Sequence, residues 1–238
     1  MKKVANRRGS NIQLYDYDTK ALYMYIPFAR ITAPEVTSDR VWARGGQSDA
    51  NMVPFDEPMT GTLTITTQII PIEVIALAAS KDGAQTGADW AVREKITASE
   101  AGKLTLAATP VEGTVYVYTE ANDATGEPIV GTVTGTTFSA TDIAANSTYV
   151  AYYIKSEATA KHVTFSNANT PGAFVVYTET EYKDASGTIE AEQTKYFKAV
   201  PQKRFSLSYQ GSGDPVSMDL VFDLLEDDDG NVIDVARL

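Results

Sequence analysis

Apolar and polar residues alternate one for one along several stretches of this chain. That period of two commits them to strands with one buried face. Leu63, Ile65, Thr67 and Ile69 alternate with Thr62, Thr64, Thr66 and Gln68. Met218, Leu220, Phe222 and Leu224 alternate with Ser217, Asp219, Val221 and Asp223. Phe205, Leu207 and Tyr209 do so with Ser206, Ser208 and Gln210, and Leu22, Met24 and Ile26 with Tyr23 and Tyr25. The chain is rich in Thr and carries 13 Tyr, residue types that suit a pleated, half-buried surface.

Turn residues join these runs into hairpins. Asp16–Lys20 turns Ile12–Tyr15 into Ala21–Ile26. Asp184-Ala185-Ser186-Gly187 turns Phe174–Lys183 into Thr188–Lys198, and Gly211–Pro215 joins Arg204–Gln210 to Val216–Leu225. One helix is expected, with Pro71 at its first position, Ile72, Ile75, Ala76 and Ala79 on one face, and Gly83 capping its end. Residues Arg40–Met59 break the alternation and read as a long loop. It carries Trp42, Arg44, Met52 and Phe55, types that interfaces favour.

The charge is uneven along the chain. Residues 1–97 hold 11 basic and 11 acidic side chains, residues 98–158 hold 2 and 7, and residues 159–238 hold 7 and 13. The middle segment also turns rich in Ala, Thr and Gly. Its short strands near Leu104–Leu106, Val115–Thr119, Thr132–Phe138 and Thr148–Lys155 are spaced as in a small β-sandwich. The expected fold is mainly β: an antiparallel β-sandwich or barrel with one short flanking helix, plus a small immunoglobulin-like β-sandwich insertion. The expected domains are 1–97 with 159–238 for the first, and 98–158 for the insertion. Residues 159–238 supply only about four strands, too few for a sandwich of their own.

Several function classes drop out. The chain has 238 residues, no Cys, one His and a net charge of −11. Without Cys there are no disulfides, thiolate zinc sites or cysteine nucleophiles. His162 is the single imidazole, and the sequence sets no nucleophile or orienting partner beside it. The net charge argues against a nucleic-acid-coating surface. No apolar run follows Met1-Lys2-Lys3 as a signal peptide requires. The most apolar stretch, Ile69–Ala79, is broken by Pro71 and Glu73 and falls short of the roughly 20 residues of a membrane span.

The remaining candidates are weak chemically. Glu226-Asp227-Asp228-Asp229-Gly230-Asn231 is the densest acidic run. Aligning Gly230 with the sixth position of a calcium loop puts Leu225 at the first and Ala236 at the twelfth, where Asp and Glu are needed, so a solvated turn is expected. Glu179 with Glu181, and Asp219 with Asp223, share strand faces, but spacing alone does not make a glycosidase pair. Gly45-Gly46 and Gly211-Ser212-Gly213 lack the context of phosphate loops. Lys2, Lys3, Arg7 and Arg8 form a basic arm suited to pairing with acidic groups of a neighbouring subunit.

The layout of basic arm, hairpin Gly9-Ser10-Asn11-Ile12-Gln13-Leu14-Tyr15-Asp16, long loop, Gly61-Thr62-Leu63-Thr64-Ile65-Thr66-Thr67, single helix and closing strands resembles the major tail tube proteins of tailed bacteriophages. Those closing strands include Lys203-Arg204-Phe205-Ser206-Leu207-Ser208-Tyr209 and Pro215-Val216-Ser217-Met218-Asp219-Leu220. The resemblance implies a virion structural protein, assembled in the host cytoplasm, with no enzymatic activity and no cofactor. Hexameric rings would stack into a hollow tube through which DNA passes without specific binding. The partners implied are further copies of the chain and other tail proteins: terminator, baseplate and, where one exists, sheath. Trp42, Arg44, Met52 and Phe55 would reach the next ring. Lys2, Lys3, Arg7, Arg8, Asp227, Asp228 and Asp229 would contact neighbouring subunits. Thr62, Thr64, Thr66, Glu179 and Glu181 would line the lumen, where like charge keeps DNA off the wall. The rival readings are a capsid decoration or other phage surface protein, and a carbohydrate-binding β-module using exposed Tyr and paired acids.

Overall fold

Alternation becomes strand pairing in a computed structural model, which describes residues 4–6, 10–45, 50–204, 206 and 216–238. In chain order the first elements are β1 (Val4–Asn6), β2 (Ser10–Asp16), β3 (Leu22–Thr37), β4 (Arg40–Gly45), β5 (Ala50–Asp56), β6 (Thr60–Thr67) and α1 (Ile72–Ala79). Next come β7 (Gln85–Thr97), β8 (Lys103–Thr105), β9 (Tyr116–Thr119), β10 (Thr132–Thr134), β11 (Thr137–Ser139) and β12 (Thr148–His162). The last four are β13 (Phe174–Asp184), β14 (Ile189–Pro201), β15 (Met218–Leu225) and β16 (Ile233–Arg237). Two compact units result: residues 1–84 with 163–238, and residues 85–162.

In the first unit the sheet runs β13-β2-β3-β6-β15-β14, and β13 also pairs with β14, so six antiparallel strands close into a barrel. Closure removes strand edges that would otherwise template aggregation. β1 and β16 pair with the outer edges of β13 and β14. The alternating apolar positions point inward: Ile12, Leu14, Leu63, Ile65, Leu220 and Phe222 are each at most 2 % exposed. Two expected hairpins form as read. Asp16 Oδ1 accepts the Thr19 N–H and hydroxyl, both at 2.7 Å. Asp184 Oδ1 accepts the N–H groups of Ser186 at 2.9 Å and Thr188 at 2.8 Å, while Gly187 supplies the φ of 91°. The turn expected at Gly211–Pro215, and most of its leading strand, lie outside the described residues, as do Lys2, Lys3, Arg7 and Arg8.

Some local expectations need correction. Leu22 was expected on the buried face but is 58 % exposed. The β2–β3 register shifts between Leu14 and Tyr15, which turns Tyr23 onto the core instead, edge-on to Phe174 at 5.1 Å. Pro71 is the N-cap rather than the first helical residue, with ψ at 158°. The C-cap is Ser80, whose N–H reaches Ala76 O at 3.0 Å; Gly83 turns the chain three residues later. Val74 and Leu77 carry the helix into the barrel core, whereas Ile75 packs only at its margin. Gly61 is required by a close approach, since a Cβ there would lie 2.5 Å from the Glu35 carbonyl oxygen.

The second unit is a small β-sandwich. Sheets β7-β12-β9 and β10-β11-β8 share one core containing Leu104, Val117, Phe138, Ile143 and Tyr149. The buried Tyr149 hydroxyl accepts the Ala144 N–H at 2.8 Å and donates to Asp142 O at 3.3 Å, so its polar end is satisfied. The unit begins at residue 85 and ends at 162, not at the expected 98 and 158. β7 pairs with β12 from Thr97↔Thr148 out to Gln85↔His162, which draws both strand ends into this unit. His162 therefore forms the last rung of the insertion rather than resuming the first unit. Because Gln85 and His162 are register partners, the insertion leaves and rejoins the chain at adjacent points.

Tyr196 gives a measurable consequence. It is 2 % exposed in the barrel core, and burial pushes its phenol up to about 12, opposed in part by a hydrogen bond with Thr178. An unfolded tyrosine ionises near 10, so the folded state loses nothing below pH 10 and loses stability as pH rises from 10 to 12. Tyr196→Phe is expected to remove about 2–3 kcal/mol of that alkaline loss. Urea unfolding at pH 9 and pH 12 measures it; equal alkaline losses in both proteins would refute the assignment.

Candidate functional site

The segment expected to be a long loop is instead the hairpin β4–β5, which pairs with no other strand among the described residues. Val41 faces Phe55 and Trp42 faces Pro54 across it. Its base is held by the Arg40–Asp56 ion pair at 2.6 Å and by the Ser38 hydroxyl donating to Glu57 O at 2.6 Å. That pair holds the Asp56 carboxyl below its ordinary range and raises the Arg40 guanidinium above its own, through their shared hydrogen bond. Arg40 also lies 5.9 Å from the Trp42 ring centroid.

What the hairpin does not bury is its apolar surface. Met52 is 65 % exposed and Phe55 58 %, with Val41, Val53 and Trp42 also exposed. Alternation puts Val41, Val53 and Phe55 on one face and Trp42 and Pro54 on the other, so both faces are apolar, while Met52 sits at the register shift between Val53 and Asn51. A two-stranded ribbon of this kind is marginal in water by itself, and clustered exposed apolar groups mark surfaces that meet a partner. Val41 and Val53 belong to this surface yet were not singled out from the sequence. They become visible as partners only once the cross-strand register is known.

The acidic run forms a tight turn between β15 and β16. Asp227 Oδ1 accepts the N–H groups of Asp229 at 3.0 Å and Asn231 at 2.8 Å. The bond from the Asn231 backbone is the main reason its carboxyl sits below the usual carboxylate range. Gly230 closes the turn at a φ of 81°. Asp228 and Asp229 stay exposed. Among the described residues no group of three His, Asp or Glu side chains could hold a metal ion. A cleft of about 790 Å³ runs from this turn to the hairpin base, lined by Arg40, Asp56, Met59, Glu226 and Gly230 among others.

Thr62, Thr64 and Thr66 lie on the outer wall of the barrel, on the side of β6 opposite Leu63 and Ile65. There the Thr66 hydroxyl donates to Asp219 Oδ1 at 2.6 Å, and Gln202 Nε2 donates to Asp223 Oδ1 at 2.7 Å. Glu179 and Glu181 also face outward, on β13, which β2 and β3 separate from β6. The fold therefore puts the two sets on one wall but does not bring them together. The His162 Nδ1 atom is buried with no hydrogen-bond partner among the described residues.

A family model described as the YomU/Tube protein family matches residues 9–238, through the barrel and the inserted unit alike. The chain belongs to the YomU/Tube protein family. No curated protein matches it. Membership suggests a phage tube-like structural protein, and among the described residues no helix is long and apolar enough to cross a membrane.

The turn separates a structural carboxylate from exposed ones. Asp227→Ala is expected to lower the thermal midpoint by a few degrees, because the turn's N–H groups lose their acceptor. Asp228→Ala is expected to leave it unchanged. Paired melting curves test this, and equal midpoints would show that the Asp227 bonds do not hold the turn.

Proposed function

We propose that this YomU/Tube chain is the subunit of a phage tail tube. Copies join head-to-tail into hexameric rings, and the rings stack into a conduit through which DNA leaves the capsid. The observation that carries the reading is the β4–β5 hairpin, whose two apolar faces are left open within the subunit. A second copy is the natural cover, with Trp42, Met52 and Phe55 as anchors and Arg44 beside them. Asp228, Asp229 and the basic arm from Lys2 to Arg8 would add contacts between subunits.

The net charge of −11 suits a conduit. Acidic or neutral groups such as Thr62, Thr64, Thr66, Glu179 and Glu181 facing the lumen would let DNA slide without sticking. The 85–162 unit is read as an immunoglobulin-like module carried by the tube, supported by its two small sheets over one core. Terminator and baseplate proteins would cap the two ends of the tube, which assembles in the host cytoplasm and works in the virion.

Negative-stain electron microscopy with light scattering tests the assembly. Hollow rings or tubes with six-fold end views are expected; closed trimers would overturn the reading in favour of a decoration protein. Trp42→Ala and Phe55→Ala are expected to cut polymer yield at least about tenfold while moving the thermal midpoint by no more than about 2 °C. If either variant unfolds instead, the hairpin is part of the subunit's own core and the interface lies elsewhere.

A further inference from the structure

The two faces of the β4–β5 hairpin are not alike. Every residue from Arg40 to Arg44 and from Asn51 to Asp56 is exposed. Cross-strand partners share a face, so the pairs Val41↔Phe55 and Ala43↔Val53 make one face apolar along its length. The pairs Arg40↔Asp56 and Trp42↔Pro54 make the other. There Trp42 and Pro54 are flanked by the Arg40–Asp56 ion pair, with the Arg40 guanidinium 5.9 Å from the Trp42 ring centroid. One face is purely apolar, and the second is an aromatic centre beside a charged rim.

A two-stranded ribbon encloses nothing. One flat partner covers one of its faces and leaves the other in water, so two apolar faces call for two partner surfaces, one on each side. Size limits what each can hold. Six register pairs at about 3.4 Å rise make the ribbon about 20 Å long, and two strands make it about 10 Å wide, hence about 200 Å² per face. A stable pairwise interface takes about 800 Å² from each partner. Neither face is large enough to hold a second copy by itself. Burying both in one slot doubles the area gained for a single loss of motion.

We infer that the hairpin is a wedge inserted between two neighbouring copies of the chain, which rests on the tube reading above. Its Val41, Val53 and Phe55 face lies on one copy and its Trp42 and Pro54 face on the other. A single copy is a poor slot for it. The cleft of about 790 Å³ at the hairpin base is lined by Glu57 and Glu226 besides Arg40 and Asp56, and that of about 590 Å³ on the barrel wall by Lys20, Lys195 and Asp227. Seating an all-apolar face on either would strip water from charged groups without pairing them. The slot is instead the seam between two subunits already side by side. Hairpin docking therefore follows lateral assembly, and a subunit joins an existing ring more readily than it pairs with a free one.

Photo-crosslinking within the polymer tests the wedge. A benzoylphenylalanine is placed at Phe55, at Trp42 or at both, and each full-chain variant is co-assembled as a small minority among wild-type copies and irradiated. On a denaturing gel each single variant is expected to give covalent dimers and the double variant covalent trimers. Peptide mapping is expected to show different partner peptides captured from the two positions. Both side chains are exposed, so the variants are expected to keep the wild-type melting curve. Val53 and Pro54, on the same two faces, supply a second pair of positions where an added ring hinders assembly. Double-labelled copies that yield dimers alone would overturn the wedge and leave the tube standing. So would cross-links confined to the labelled chain, or none from either pair of positions. A wild-type chain that forms no polymer would overturn the wedge and the tube reading together.

Discussion

The pairing of β13 with β14 is the constraint on which the first unit depends. Without it, β2, β3, β6 and β15 would form an open sheet with two long edges and one unprotected apolar face. With it, the inward positions of six strands meet around one core, and α1 adds Val74 and Leu77. The turn that makes the pairing is local, set by Asp184 and Gly187. Its consequence is global, because β13 and β14 carry the closing edges of a sheet whose other strands come mainly from the first third of the chain. The 78-residue insertion between α1 and β13 does not disturb that closure, since it starts and ends on one rung, Gln85 opposite His162.

Once the barrel is closed, what remains apolar and uncovered becomes informative. The β4–β5 hairpin departs from the barrel between β3 and β6 and keeps Val41, Met52 and Phe55 in water. Such a ribbon, apolar on both faces, is what supports the proposed assembly. The outward wall behaves differently. Its polar residues are paired with one another, as Thr66 is with Asp219 and Gln202 with Asp223, and its aromatic patch is shielded by lysines. These are two surfaces with different chemistry: one is apolar, the other polar and charged.

Much of the barrel was legible in the residues themselves. The strands containing Leu63–Ile65 and Met218–Leu224 bury the face their alternation indicated, and both Asp-initiated turns fall where turn chemistry put them. Misreadings arose where one residue shifts a register or where propensity is silent. Leu22 went to the wrong face because a bulge after Leu14 reverses the alternation. Residues 40–56 read as a loop because their apolar groups lie on both faces, which erases the period of two although the backbone still pairs. The insertion boundary was placed inside β7, because composition changes at residue 98 whereas hydrogen bonding to β12 begins at 85.

By itself, the sequence determined the strand content, the two tight turns, the short helix and the absence of thiol chemistry, all of which follow from local sterics and residue type. It also drew attention to Trp42, Met52, Phe55, Asp228 and Asp229, which the structure leaves exposed. Only the tertiary structure decided which residues share a surface. Tyr15 comes from β2 near the start of the chain and Tyr177, Lys195 and Phe197 from the β13–β14 hairpin far downstream, and they share one surface only because β2 and β13 are neighbours in the closed sheet. Strand pairing is a long-range choice, made by the barrel core as a whole, and no local pattern encodes which outward side chains it will bring together.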